Sequence, residues 1–220
     1  MRRSLRRTDR TEPWHSYAWQ AQSLLLAYPD EQFEQHLALA RQVAAALPGP
    51  VAGPLLRFTA HAEGTAPSDR AAAYVATFDH RKRCCLHLTY YAHGDTRKRG
   101  LALLRLKQAY AAAGWLLGED ELPDHLAVVL EFAAAEPGAG AGLLTDHRAG
   151  LELLRLALTE DGSPWAPLLD SVSATLPALA GDDRDAVMRL AAQGPPGEQV
   201  GLDPYASPVF LPDPVVGGPR

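Results

Sequence analysis

Cysteine is scarce in this sequence, because its 220 residues contain only two, Cys84 and Cys85, and these are neighbours. Adjacent cysteines cannot join distant segments of a chain, so a framework of structural disulfides is excluded. This usage is typical of a protein that works in the reducing cytoplasm. A vicinal pair of thiols can bind a soft metal ion, but we favour a small, buried, apolar role for one of the two.

Long apolar runs are also missing, since no stretch approaches the roughly 18 consecutive apolar residues of a membrane-spanning helix. The N-terminal segment MRRSLRRTDR carries paired arginines that suggest an export signal. A signal would continue into an apolar core and a cleavage site, but the mixed segment TEPWHSYAWQAQ follows. We therefore predict a flexible basic arm over residues 1–11 and no direct membrane insertion.

An excess of positive charge is absent as well. The chain has 21 Lys and Arg against 26 Asp and Glu, which gives a net charge of −5. Domains that bind nucleic acid are usually basic, so general nucleic-acid binding is disfavoured. Hydrophobic residues make up 47% of the chain, which is enough for a folded core.

The apolar residues recur at intervals of three and four along nearly the whole chain, which is the spacing of amphipathic helices. We predict one all-α domain over residues 12–193, an irregular bundle of about ten helices. A Gly- and Pro-rich extended tail follows at 194–220. The predicted helices cover residues 14–28, 33–47, 51–63, about 69–78, 84–92, 96–113, about 123–133, 143–158, 165–176 and 182–192.

Three of these assignments depend on specific segments. CCLHLTYYA, at 84–92, contains residues typical of strands, but no alternating partner lies nearby, so we predict a helix. The helix at 96–113 has two apolar stripes, one of which includes Leu101 and Leu104, and this indicates a central helix with neighbours on both sides. EPGAGAG, at 136–142, is predicted to be a loop.

The segment ELPDHLAVVLEF places Asp124 and His125 at the start of an apolar helix. Consecutive helical residues point about 100° apart, so the two side chains form a poor acid–base pair by themselves. A zinc motif would need a second histidine where Val129 stands. Three interpretations remain: a first-turn acid that stabilises the helix dipole beside a partly exposed histidine, a binding surface, or catalysis. The local sequence favours the first, with Asp124 and Glu131 opposite the core stripe.

Other candidate sites are weaker. His80, His87 and His93 form no cluster of three ligands, and the sequence contains neither a phosphate-binding glycine loop nor a nucleophile elbow. We therefore predict no metal ligand and no catalytic residue. The basic stretches HRKR (80–83) and TRKRG (96–100) are either solvated or contact an anionic group.

Four segments, taken in order, resemble the delta-subunit family of respiratory nitrate reductase. They are LLLAYPDEQF, YVATFDHRKRCCLHLTYYAHGDTRKRGLALL, LKQAYAAAGW and ELPDHLAVVLEFAA, and the resemblance covers roughly residues 14–135. This family consists of NarJ-type chaperones for molybdenum-cofactor assembly. It belongs to the redox-enzyme maturation chaperones, together with the TorD and DmsD types.

The resemblance implies a TorD-like all-helical fold, a cytoplasmic location and no reaction of its own. The expected partner is the apo form of the catalytic alpha subunit of nitrate reductase, recognised through its N-terminal peptide as an amphipathic helix in a groove. The chaperone would bind no cofactor stably. It would assist insertion of bis-molybdopterin guanine dinucleotide into its client, and the proteins that make this cofactor are a further class of expected partner.

In related chaperones the E-x-P-D-H stretch belongs to the client-binding region, so the resemblance implies a client-binding surface at Glu121, Asp124 and His125. Asp124 would pair with a basic residue of the client, and His125 would make binding sensitive to pH, since an unperturbed histidine has a pKa near 6.5. The other expected client-binding residues are aromatic or basic: Tyr74, Phe78, Tyr90, Tyr91, Arg97 and Arg99.

Two other classes of protein are kept as alternatives. A metal-dependent hydrolase on a helical bundle would need clustered ligands, which the sequence does not show. A helical DNA-binding regulator would use the two basic stretches, but the acidic balance of the chain weighs against it.

Overall fold

The computed structural model describes residues 11–118, 121–179 and 181–193. In these residues it contains eleven α-helices, one short 3-10 helix at Lys82–Cys84, and no strand, so the predicted all-α class is confirmed. The predicted basic arm, apart from Thr11, and the predicted tail lie outside the described residues. The helices are α1 (Pro13–Leu26), α2 (Phe33–Ala44), α3 (Gly49–Glu63), α4 (Pro67–Phe78), α5 (Leu88–His93), α6 (Arg97–Ala112), α7 (Leu126–Ala135), α8 (Pro137–Asp146), α9 (Arg148–Glu160), α10 (Ala166–Ala174) and α11 (Asp182–Gln193).

Helix α1 lies at the centre of the bundle, where it packs against α7, α2 and α10. Its Trp19 is fully buried, and the indole Nε1 donates a hydrogen bond of 2.9 Å to the hydroxyl of Thr175 after α10. Ser23 donates a bond of 2.7 Å to the carbonyl of Ala127 in α7. These two side chains of α1 therefore bond to both neighbouring helices, which is what burial of polar groups requires.

Helix α7 is apolar around nearly its whole circumference. The predicted stripe of Leu126, Val129, Leu130 and Ala133 is buried, and so is Phe132, whose ring packs at a tilt against Tyr110 of α6. An apolar helix of this kind is stable only when neighbours cover it on several sides. Helices α1, α8 and the end of α6 provide that cover.

Residues 137–142 form the start of α8, with Glu136 as its N-cap, so the loop predicted over 136–142 was wrong. Pro137 occupies the first turn, where its missing N–H costs nothing, and Gly140 is buried against α7. A Cβ on Gly140 would overlap the Cα and Cβ of Ala133. The glycine that suggested a turn therefore serves a close helix–helix contact.

Two predicted helices are interrupted. The segment 84–92 begins with the end of the 3-10 helix, continues through extended residues 85–87, and becomes α5 only at Leu88. The helix predicted over 143–158 is divided between α8 and α9 at His147, whose ψ of 14° departs from helical geometry.

Helix α6 is peripheral, so the predicted central position was wrong. Only Leu106 and Tyr110 of its residues are buried, while Leu101 and Leu104 are 61% and 51% exposed. The second apolar stripe faces away from the bundle. None of the helices in the described part of the chain combines the length and apolar character needed to cross a membrane.

Gly140→Ala is expected to lower the free energy of unfolding by about 1–3 kcal/mol, because the added methyl group forces α8 away from Ala133. The matched control is Gly142→Ala in the same helix, where an added Cβ meets no atom within 4 Å. This control should be neutral or stabilising by up to about 1 kcal/mol. Urea unfolding followed by circular dichroism measures both, and equal effects would contradict the packing of α7 on α8.

Candidate functional site

Two extended segments, which lead into α5 and α7 along the chain, lie side by side. Residues 86–88 and 124–126 run antiparallel and exchange two backbone hydrogen bonds of 2.9 Å each. This short pairing places His87 opposite His125, with their imidazole rings 5.4 Å apart and nearly perpendicular. We call these two segments the histidine bridge. It brings the ELPDH stretch against the CCLHLT stretch, which precedes it by about forty residues.

The buried side chain of Asp124 stabilises the histidine bridge. This side chain is fully buried, and Oδ1 lies 3.1 Å from Nδ1 of His87. Oδ2 accepts hydrogen bonds from the backbone N–H and hydroxyl of Thr89 and lies 3.4 Å from Nη2 of Arg99. One carboxylate therefore ties the start of α7 to α5 and α6.

The pKa of Asp124 reflects this environment. Burial by itself would raise it, but the hydrogen bonds from His87 and Thr89 and the charges of His87 and Arg99 lower the pKa to about 2. The carboxylate is therefore ionised throughout the physiological range. A buried charge of this kind is costly unless it is fully paired, and here it has three partner residues.

Asp124 does not occupy the position expected from its local sequence. Helix α7 begins at Leu126 with His125 as its N-cap, so Asp124 precedes the helix and does not belong to its first turn. It also does not share an exposed face with Glu131, because Asp124 is buried and Glu131 is exposed. The expected pairing of Asp124 with a client residue stays a prediction, and in this structure its oxygens contact internal donors.

His125 is partly buried, and its pKa differs from that of a free histidine. Burial, followed by the nearby His87, lowers the pKa of His125 to about 4, although Asp124 opposes this shift. His125 is thus neutral between pH 6 and 8. The expected pH sensitivity of binding in that range therefore cannot come from titration of His125 in this conformation.

A groove with a volume of about 440 Å³ opens beside the histidine bridge, between α1, α4 and α7. His87, His125 and Glu121 line it together with residues of the three helices. We call it the α1–α7 groove. Its other lining side chains are mostly apolar: Ser23, Leu24, Ala27, Tyr28, Tyr74, Leu122, Ala127, Val128 and Glu131.

The charged residues of the α1–α7 groove are both acidic. Glu121 and Glu131 line it and are exposed. Partial burial, and then the negative charge of Glu121, raise the pKa of Glu131. Two carboxylates that repel each other beside an apolar surface favour a ligand that carries both an apolar part and a positive charge.

The structure brings only part of the predicted site together. Tyr74 reaches the groove, where its ring packs edge-on against Tyr28 at 5.6 Å and its hydroxyl donates to the carbonyl of Leu26. Phe78 is buried against Tyr74 and Trp165, outside the groove lining.

The remaining predicted residues lie elsewhere. Tyr91 is buried, and its hydroxyl donates to the carbonyls of Arg83 and Cys85, while the half-buried Tyr90 packs against it. Arg99 contacts the buried Asp124 and the exposed Asp95, and Arg97 is exposed at the start of α6. None of these four residues lines the groove.

Sequence reasoning missed the contribution of α1 to the groove. Leu24 and Tyr28 line it, and Tyr28 is 53% exposed although it follows a buried helix. Tyr28, just before Pro29, is the last residue of the helix predicted over 14–28, and that prediction gives it no binding role. Nothing in the sequence joins this segment to residues 121–131, which lie about a hundred residues further on.

Other features lie outside the groove. A second cavity of about 330 Å³ is lined by residues that include His15, Trp19 and Asp146, and by none of the predicted site residues. Within the described residues no group of three His, Cys, Asp or Glu side chains could hold a metal ion. Cys84 is buried and Cys85 is half-buried, and both thiols are free.

Comparison with known proteins gives a consistent set of relatives. A family model described as nitrate reductase delta subunit matches residues 34–170. The chain is 39% identical over 163 residues to the nitrate reductase-like protein NarX of Mycobacterium tuberculosis, an alignment that covers 74% of this chain but only 24% of NarX. The chain thus spans about a quarter of the length of that relative.

Two smaller relatives are covered more fully. The chain is 35% identical over 161 residues to the probable nitrate reductase molybdenum cofactor assembly chaperone NarJ of Bacillus subtilis, covering 71% of this chain and 86% of that protein. It is 36% identical over 152 residues to the nitrate reductase molybdenum cofactor assembly chaperone NarJ of Escherichia coli K12, covering 67% and 64%.

Asp124→Ala is expected to lower the free energy of unfolding by about 2–4 kcal/mol, because it leaves Arg99, His87 and Thr89 without their shared acceptor. The matched control is Glu121→Ala, which removes an exposed carboxylate three residues away and should change stability by less than about 0.5 kcal/mol. Urea unfolding at neutral pH measures both. A cost of Asp124→Ala as small as that of the control would contradict the role of Asp124 in holding the bridge.

Stability is expected to fall as the pH drops from about 6.5 towards 4, because an unfolded chain protonates His125 in that range and the folded chain does not. The loss from this residue reaches about 1–2 kcal/mol at pH 5. His125→Asn should flatten the dependence relative to the unmodified chain, as measured by urea unfolding at pH 7, 6 and 5. Parallel curves for the two proteins would show that the pKa of His125 is not lowered.

Proposed function

The chain belongs to the nitrate reductase delta subunit family, and from that membership we propose that it is an assembly chaperone of respiratory nitrate reductase. Its client would be the catalytic alpha subunit before the molybdenum cofactor is in place. The names of the Bacillus subtilis and Escherichia coli relatives, both molybdenum cofactor assembly chaperones, support this proposal. We place the activity in the cytoplasm.

The observation that carries the proposal is the composition of the α1–α7 groove. It joins Glu121, His125 and Tyr74, three of the residues expected at a client-binding surface, with apolar side chains of α1 and α7. Its volume of about 440 Å³ is in the range of sites that take specific ligands. A groove of this shape and charge suits one amphipathic helix that carries a Lys or Arg.

We propose that the N-terminal peptide of the alpha subunit binds there as such a helix. Its apolar side chains would contact Leu24, Tyr28 and Val128, and a cationic side chain would approach Glu121 and Glu131. Apolar burial supplies most of the affinity, while the carboxylates select the register and accelerate association. The electrostatic part should weaken with salt, because both carboxylates are exposed.

We propose that Asp124 is a positioning residue. It contacts His87 and Thr89 and is fully buried, so it does not meet the peptide directly in this conformation. Its contribution is to keep the histidine bridge in place, so that His125 and Glu121 stay at the side of the groove.

We assign the chain no chemical step. Holding the N-terminal peptide would keep the apo-subunit in a state that can accept bis-molybdopterin guanine dinucleotide, and the chaperone would leave once the cofactor is inserted. Between pH 6 and 8 the neutral imidazole of His125 can donate a hydrogen bond to the peptide or accept one from it.

Calorimetric titration with a peptide that copies the N-terminus of the alpha subunit tests the proposal. Tyr28→Ala should weaken binding by about tenfold or more, because an aromatic side chain that lines a binding groove is a frequent anchor. The control is Tyr17→Ala, which removes a tyrosine of α1 that is 59% exposed and does not line the groove, whereas Tyr28 lies just after α1. Absence of peptide binding, or equal losses for the two variants, would contradict the proposed function.

A further inference from the structure

Helix α6 presents an unusual surface to solvent. Only two of its 16 residues are buried, and the opposite side carries the exposed Leu101 and Leu104. At 100° per residue, Arg97, Leu101, Leu104 and Arg105 fall within an arc of about 100°, with Lys98 at its edge. We call these five residues the α6 surface.

The charge of α6 is of one sign. Its sequence RKRGLALLRLKQAYAA contains five cationic residues and no acidic residue, although the whole chain has a net charge of −5. Arg99 is paired with Asp124 inside the fold, but Arg97, Lys98 and Arg105 are exposed. The α6 surface is thus a short amphipathic helix face that is both apolar and basic.

The α1–α7 groove has the complementary composition. It is mostly apolar, and its two exposed charges belong to Glu121 and Glu131. A basic amphipathic helix laid in an acidic apolar groove is a recurrent mode of recognition. The same chain therefore carries a surface and a receptor of matching chemistry.

The α6 surface of one molecule cannot reach the groove of the same molecule. Tyr110 anchors α6 by donating a hydrogen bond of 2.7 Å to the carbonyl of Pro123, and Arg99 anchors it through Asp124. These anchors keep the buried side of α6 against the fold and the α6 surface directed away from it. Only another molecule can supply that surface to the groove.

We propose that the α1–α7 groove binds the α6 surface of a second copy of this chain, so that self-association occupies the client site. The inference rests on the proposed function, because it concerns regulation of the same groove. The contact is heterologous, since different surfaces of the two copies meet. It closes the groove of idle chaperone and is displaced when client peptide binds.

Sedimentation equilibrium of the full chain, from micromolar to submillimolar concentration, gives the first result. At low salt the apparent molecular mass is expected to rise with protein concentration. At high salt it should return towards the mass of the monomer, because exposed charges are screened. A monomer under every condition overturns the inference.

Complementation between two variants tests the assignment of surfaces. Leu104→Asp disrupts the α6 surface and leaves the groove intact, whereas Glu131→Lys disrupts the groove and leaves the α6 surface intact. Each variant alone should self-associate about tenfold more weakly than the unmodified chain. An equimolar mixture should form a one-to-one dimer, because it contains one intact surface and one intact groove.

Matched controls separate the two surfaces from general effects of charge. Leu39→Asp alters an exposed leucine of α2, and Glu31→Lys reverses an exposed carboxylate before α2, both outside the groove and α6. Both should self-associate like the unmodified chain. A mixture of Leu104→Asp and Glu131→Lys that stays monomeric, or equal losses in the controls, overturns the inference.

Competition distinguishes this inference from the proposed function. Client peptide should return the self-associated chain to monomer at concentrations that saturate the groove. Peptide binding that leaves self-association unchanged overturns the inference and leaves the proposed function standing. Complementation by the two variants without any peptide binding supports the inference and contradicts the proposed function.

An anionic lipid surface is the other occupant that the α6 surface could suit. Flotation with phosphatidylglycerol vesicles tests it. If the chain stays monomeric and binds these vesicles, and Leu104→Asp abolishes the binding, the α6 surface serves lipid and the inference is overturned. Absence of vesicle binding together with complementation supports the second copy as the occupant.

Discussion

The buried carboxylate of Asp124 is the interaction on which the groove depends. An ion removed from water is stable only when donors surround it, and here His87, Thr89 and Arg99 supply them from α5 and α6 and the residue before α5. The same contacts hold residues 124–126 against residues 86–88, ahead of the first turn of α7. In the proposed function Asp124 fixes its neighbours in place, and those neighbours contact the peptide.

The apolar and the electrostatic parts of the fold have different tasks. Helices α1 and α7 form the centre through apolar packing, which is insensitive to direction, and Gly140 allows α8 to approach α7 closely. The polar contacts at the histidine bridge are directional and set where the groove opens. Helix α6 is held by Tyr110 and Arg99 and otherwise remains exposed, so it contributes a surface more than it contributes to the core.

The sequence predicted those features that repeat at helical spacing. The stripe from Leu126 to Ala133 identified α7 because burial requires that pattern. The predictions were wrong where the same residue type suits two different structures. Gly140 is typical of a turn, but here it permits close packing of two helices. Leu101 and Leu104 have the spacing of a core stripe, but they face solvent. The burial of Asp124 was not predictable, since His87 and Arg99 lie 37 and 25 residues away and only the fold brings them together. The family resemblance covers Tyr28 and Val128, but it implied a binding role only for the ELPDH stretch and not for these two residues, which also line the groove.

In the proposed function the α1–α7 groove holds the N-terminal segment of a nitrate reductase alpha subunit. The most direct measurement replaces Tyr28 with a photo-crosslinking analogue of phenylalanine and maps the bonds formed to the full apo-subunit by mass spectrometry. We expect crosslinks to the N-terminal segment from position 28 and none from the same analogue at position 17, which is exposed on α1 and does not line the groove. Crosslinks to that segment from position 17, together with none from position 28, would contradict binding of the segment in the groove.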